Sequence, residues 1–368
     1  MKWSILCIIG IDLIDDKARY TLFDATSKAS TALPAHASAG IKQEAIMDVS
    51  PKPPAHPRQS SQPDQPIPQG QPQQTNAAPG LYPIMQGETA IIALCDGALP
   101  FPLDALYRNT TPEHVRDRFR HHGQELPAPG SFNAFLVARP DRLILIDTGS
   151  GDLGGPALGQ LAGNLLTAGY QPAQVDDIIL THLDNDHFGG LIRNGDMAFP
   201  NARVHMPKRD ADFFLSPAAM AKAPAPMQPH FKNAIACITP YANAGRISIY
   251  DDNEAPIPGI AQSILLPGHS PGHSGIIVQT GMELQDSATA LLCWGDISHG
   301  HILQFEDPDI AICFDVDITA AIASRKQALE LAAREQLLVA GCHIAFPGLG
   351  HVSRHQNETA YCWHPATS

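Results

Sequence analysis

From Gly87 onward the apolar residues fall into short runs punctuated by turn residues, a texture of strands rather than long helices. GETAIIALCDGALP (87–100) predicts a strand running into a turn. SFNAFLVARPDRLILIDTG predicts two strands, Phe132–Ala138 and Arg142–Ile146, joined at Pro140-Asp141. Over Pro156–Ala168 the period changes: Leu158, Leu161, Leu165 and Leu166 are spaced as on a helix, with Gly169 as its C-cap. Asp177–Thr181 (DIILT) predicts a short buried strand, so this passage reads as a βαβ unit.

The second half repeats the pattern. SILLPGHSPGHSGIIVQT gives two strands around a Gly/Pro loop, and TALLCWGDISHG gives a strand ending in an acidic loop. Asp317–Glu335 predicts an amphipathic helix with Asp317 as N-cap, followed by a strand at Leu337–Ala340. Two such sets imply an α/β protein in which two sheets pack face to face with helices outside, an αββα sandwich. Polar residues gather at the strand ends, where loops can carry chemistry.

Residues 1–80 break this texture. Between Pro51 and Pro79 lie nine prolines and seven glutamines in 29 residues, too little apolar surface to offset the entropy of ordering, so a disordered segment is expected there. The division is therefore 1–80, Pro/Gln-rich, and 81–368, the folded domain. MKWSILCIIGIDLI carries a short apolar run, a weak export signal that is too short to span a membrane. A Pro/Gln tether ahead of a folded domain suits a periplasmic or secreted protein, with the cytoplasm as the alternative.

Composition narrows the partners. The formal charge of −13 argues against nucleic acid, whose binding surfaces are basic, and favours a small-molecule substrate. No integral membrane segment is expected, and a homodimer is compatible with the sequence. Seven cysteines form no CxxC pair and no disulfide framework; Cys293 and Cys342 sit in apolar runs and read as buried thiols.

The densest chemistry is Thr181-His182-Leu183-Asp184-Asn185-Asp186-His187, four ligand-type side chains in six residues straight after a strand. A polar surface turn would tolerate the same residues. His269 and His273 in PGHSPGHSG, Asp296 in LLCWGD and His343 after LLVAGC add weight, because each closes an apolar strand where a plain turn would place Gly, Asn or Ser.

HxxxDH after a strand, then PGHSPGHSG, WGDISH and HIAFPGLGH, resembles the metallo-β-lactamase superfamily from about Leu81 to Pro365. Within it the chain is similar to the methyl parathion hydrolase group, whose neighbours include bacterial lactonases. The segments DGALPFPLDAL, FNAFLV, LIDTGSGDLGG, FPNARV and HIAFPGLGH carry that likeness. The resemblance implies two divalent metal ions, zinc first, with His182, Asp184 and His269 on one, and Asp186, His187 and His343 on the other. Asp296 would bridge them, His273 and Asp147 would support the ligands, and Asp186 and Asp296 would be the catalytic pair.

The implied activity is hydrolysis of esters, lactones or organophosphate triesters by a hydroxide shared between the cations. Phe188, Trp294, His299, Phe305 and Phe346 lie near ligand positions and are candidates for an aromatic rim, though the core is the readier place for each. One position departs from the family's usual HxHxDH: Asp184 stands where a histidine is expected. This adds a negative charge and a hard oxygen donor, which admits manganese or iron. It also leaves open a non-hydrolytic iron-dependent oxidoreductase, as in the flavodiiron relatives that carry a carboxylate there, or a degenerate metal-binding module.

Overall fold

The computed structural model describes residues 79–281, 290–355 and 359–366, with the backbone of 9–14 and 17–22. Ile9–Ile14 and Lys17–Leu22 pair as a separate antiparallel hairpin. Residues 1–8, 15–16 and 23–78, and with them most of the segment expected to be disordered, lie outside the described residues.

Among the described residues thirteen strands build the two large sheets. The first holds β1 (Leu81–Gln86), β2 (Thr89–Phe101), β3 (Ala128–Ala138), β4 (Leu143–Ile146), β5 (Asp177–Ile179), β6 (Arg203–Pro207) and β7 (Ile247–Tyr250), laid side by side in chain order. The second holds β8 (Ala261–Leu265), β9 (Ser274–Gln279), β10 (Ala290–Cys293), β11 (Leu338–Ala340), β12 (Leu349–Arg354) and β13 (Tyr361–Pro365), again in chain order. β4 to β7 run parallel, as do β10 and β11; every other neighbour is antiparallel. The parallel pairs are the ones joined by crossovers, which a hairpin cannot supply.

The layers follow from the two-residue period of the strands. Ile91 and Ala93 of β2, Phe135 and Val137 of β3, Ile144 and Ile146 of β4, Leu291 and Cys293 of β10, and Leu338 and Ala340 of β11 share one core between the sheets. Their alternates face outward. Ile92, Leu94, Leu136 and Leu145 pack with Leu161, Leu165, Phe231 and Tyr241 from helices on one side. Leu292 and Val339 pack with Ala328, Leu329 and Ala332 of the helix Ile318–Glu335 on the other. The αββα sandwich read from the sequence is the architecture observed.

Two local expectations need correction. The helix placed at Pro156–Ala168 begins only at Leu161 and ends at Thr167. Gly159 adopts φ +79°, and a Cβ there would meet the Gly151 carbonyl at 2.7 Å, so the chain enters the helix through a left-handed turn. Leu161 and Leu165 are buried, whereas Leu166 points to solvent. The turn expected at the end of GETAIIALCDGALP is not seen; a bulge lies between Cys95 and Gly97, past which β2 continues to Phe101. The helix Ile318–Glu335 starts as expected, with the Asp317 side chain accepting from the Ala320 amide at 3.0 Å.

Among the described residues no helix is long and apolar enough to cross a membrane. Cys293 and Cys342 are buried free thiols, and burial pushes Cys342 up to about 12.

Candidate metal centre

β4, β5, β10 and β11 deliver Asp147, His182, Asp296 and His343 to one end of the sandwich, each just past the last paired residue of its strand. Past β5 the chain turns into the short helix Asn185–Phe188, which brings Asp186 and His187 back over the strand end. His269 comes from the loop between β8 and β9. All seven expected ligand residues therefore converge.

They do so as two groups sharing one carboxylate. Asp186, His187, Asp296 and His343 offer donor atoms within 4.8 Å of one another, as do His182, His269 and Asp296. Asp184 joins the second group, with Oδ2 3.3 Å from His269 Nε2 and 3.6 Å from His182 Nε2. Asp296 faces both groups: Oδ1 is 3.0 Å from His187 Nε2, and Oδ2 is 3.2 Å from His269 Nε2 and 3.1 Å from His343 Nε2. Donors bound to one cation at ~2.1 Å stand roughly 3–3.5 Å apart, so these spacings suit shared coordination.

Each imidazole is fixed through Nδ1, which turns Nε2 inward. His187 Nδ1 donates to Asp147 at 2.9 Å and His343 Nδ1 to the Ser131 carbonyl at 2.9 Å. His269 Nδ1 faces Asp315 at 3.1 Å. His182 Nδ1 meets the Thr181 hydroxyl at 3.0 Å, and that hydroxyl donates to Asp147 at 2.9 Å. Asp147 thus supports two of the imidazoles and caps the Thr181 amide, from a left-handed φ of +61° that a non-glycine residue adopts only when its surroundings hold it there.

The residues fit a cation pair on two grounds. His182 Nε2, His187 Nε2 and Asp296 Oδ1 are buried atoms without a hydrogen-bond partner, a costly state unless something else binds them. The second ground is the donor set itself, three carboxylates gathered beside four imidazoles. Burial alone would raise the Asp184 and Asp296 carboxyls, yet the surrounding imidazoles hold both well below the usual range. Burial would likewise lower His343, yet Asp296 and Asp186 push it up to about 10.

His273 takes a supporting place. Its Nε2 accepts from the Asp296 amide at 2.9 Å while Nδ1 faces the Leu266 carbonyl at 3.0 Å, which fixes the neutral ring and leaves no nitrogen for a cation. Gly295 is required beside it: φ is +58°, and a Cβ would sit 2.5 Å from His273 Nε2.

Of the expected aromatic rim only His299 lines the cavity. Phe188 belongs to the outer core on the first sheet, Trp294 and Phe305 to the outer core on the second, and Phe346 packs on the central core. Phe188 and Phe305 lie on short helices and Trp294 just past its strand, and all three turn into packed layers. The walls come instead from Leu99, Phe101, Phe132, Leu153, Leu158, Phe214, Met227 and Phe314, around a space of about 630 Å³. Asp184, Asp186, Asp296, His269 and His343 lie at its base, and no lysine or arginine among the described residues lines it. Burial holds His299 down at about 4, so the ring beside Asp296, at 3.4 Å, adds no charge.

Three further supports were not visible in the sequence reading. Asp210 accepts from the Leu183 amide, the Ser270 hydroxyl and the Gly272 amide, tying together the two ligand loops. Asp96, in the bulge of β2, accepts from the amides of Ser150 and Leu161 and holds a cavity wall. Asp315 backs His269 and pairs with Arg325, which is 1% exposed and also donates to the Ile297, Pro308 and Ile310 carbonyls. Arg325 had a readable signal: it sits on the same stripe as Ala321, Ala328, Leu329 and Ala332, where an arginine needs a buried partner.

Residues 128–283 match the family described as the metallo-beta-lactamase superfamily. The N-acyl homoserine lactonase AiiA of Bacillus thuringiensis subsp. kurstaki is 29% identical over 175 residues, 48% of this chain and 58% of that protein. The chain thus spans less than two thirds of the curated relatives it matches. The crystal structure of the hydrolase AbOPH, of the beta lactamase superfamily, superposes with a TM-score of 0.73 at 33% identity, covering 80% of this chain and 99% of that one. AidC, a dizinc quorum-quenching lactonase solved with the product N-hexanoyl-L-homoserine, gives 0.67 at 25% identity, covering 78% and 98%.

Proposed function

The chain belongs to the metallo-beta-lactamase superfamily, and on that premise we propose that it is a dinuclear metal-dependent hydrolase of neutral lactones and esters. The observation that carries the reading is the joint one of seven converging ligand residues and an apolar cavity without a cationic wall. Bound there, two divalent cations supply Lewis acidity and a water deprotonated near neutral pH.

The protein's own residues do the rest. His182, Asp184 and His269 would hold one ion and Asp186, His187 and His343 the other, with Asp296 placed to serve both. Asp186 reaches the cavity with its side chain 25% exposed, and orients the attacking water. A C–O bond forms from that water as it gives up one proton, the acyl C–O bond breaks, and the released alkoxide takes up one proton from solvent, so that the products are the acid and the alcohol. The apolar walls seat the acyl or aryl arm and exclude bulk water. A carboxylate-rich base without Lys or Arg leaves a phosphate dianion only the cations themselves to bind, which disfavours anionic phosphoesters against neutral substrates.

Lactonase is the name carried by AiiA and AidC, and supports the lactone as first substrate class. Neutral phosphotriesters are a second class, favoured by the same uncharged cavity. A panel loaded with zinc or manganese tests this. Lactones and aryl esters should turn over, with KM falling as an apolar arm lengthens, and phosphomonoesters should not. Preference for anionic phosphates, or no hydrolysis of any neutral substrate with either metal, would contradict it.

A further inference from the structure

Asp184 is shorter than the imidazole its family usually carries, so something must hold its carboxylate in reach of the centre. Oδ2 faces His182 and His269, on the side of the centre, while Oδ1 faces His230 Nε2 at 3.6 Å. His230 lies at the start of the helix Gln228–Asn243, and no ligand motif includes it. Its Nε2 donates at 2.7 Å to the carbonyl of Leu183, the residue just before Asp184. The ring is itself wedged, 4.6 Å from Phe214 and 5.9 Å from Phe188. One turn on, Asn233 Nδ2 approaches Asn185 Oδ1 at 3.3 Å, so the same helix grips the ligand loop on both sides of Asp184.

We infer that His230 is the positioning residue that makes Asp184 a working ligand, a carboxylate with a helix-borne histidine behind it replacing the single usual histidine. At 3.6 Å the His230 N–H is too far for a hydrogen bond to Oδ1, yet its positive edge stabilises charge on the carboxylate. The 2.7 Å bond to Leu183 fixes the backbone from which Asp184 projects. Partners of this kind typically change metal affinity 10–100-fold.

The inference rests on Asp184 binding a metal, and a cycle of variants separates the two. Zinc release from the full-length loaded protein is measured against a competing chelator for wild type, H230A, H230Q, D184A, D184H and the double variant D184H/H230A. H230A should weaken one zinc site roughly 10–100-fold. H230Q, which keeps a donor for the Leu183 carbonyl and guards against misfolding of the alanine variant, should recover most of that loss. In the D184H background H230A should cost less than about threefold, because an imidazole ligand no longer depends on it. Equal losses in both backgrounds would make His230 a general prop and overturn the inference. So would unchanged zinc affinity with a raised KM, which would make the ring a substrate contact at the cavity wall. If D184A itself keeps both zinc ions, the ligand reading of Asp184 falls and takes this inference with it.

Discussion

Asp296→Ala lowers kcat/KM by roughly a thousandfold or more, a loss of about 4 kcal/mol in transition-state stabilisation. The size follows from position. Among the described residues no other carboxylate faces both ligand groups directly: Asp184 faces His182 and His269, and Asp186 faces His187 and His343. Removing Asp296 takes a negative charge from between four imidazoles and opens the shared edge of the two sites. Electrostatic preorganisation of this kind is commonly the largest single contribution to catalysis. The variant should still fold, because the strand that carries it, Ala290–Cys293, is held by core residues on both faces. Elemental analysis with circular dichroism separates loss of metal from loss of structure. An Asp296→Ala protein that folds and keeps activity within threefold of wild type would remove Asp296 from the account.

Asp184 carries the second large effect, because it is where this chain leaves its family. Asp184→Ala should deplete the first ion and lower turnover by roughly a hundredfold, as the remaining donors there are only His182, His269 and the shared Asp296. Asp184→His should raise zinc affinity and shift preference away from manganese and iron, since imidazole is the softer donor. It also removes one negative charge, which favours deprotonation of water at the centre. The pH–rate profile for kcat should therefore move to lower pH. Metal content and pH profile unchanged in both variants would place Asp184 outside the coordination sphere.

What the sequence disclosed and what it hid divide along a physical line. Elements whose signal is local were legible. The strands of LILID and LLCWGD alternate between two cores, and the N-cap at Asp317 acts within one turn. The convergence of the seven ligand residues could be expected because each ends or closely follows a strand, and strand ends meet at one edge of a sandwich.

The supports were hidden because their partners are distant. Asp96 reaches Ser150 and Leu161, Asp210 reaches Leu183 and Gly272, and no spacing rule links such positions. The helix start was misplaced because leucine spacing spoke for Leu158 while the left-handed Gly159 spoke against it, and backbone geometry decided. Of the candidate rim residues, Phe188, Trp294, Phe305 and Phe346 take the core places that are the readier reading, because adjacency to a ligand in sequence does not fix which way a ring turns.

The central claim is that the base of the cavity holds a pair of cations. The most direct measurement is the metal content of the full-length protein after reconstitution with zinc or manganese and removal of loosely bound ions. Close to two ions per chain are expected, because two groups of donors share Asp296, Asp184 adjoins one of them, and His182 Nε2 and His187 Nε2 lie in different groups without hydrogen-bond partners. One ion per chain, or none, would contradict it.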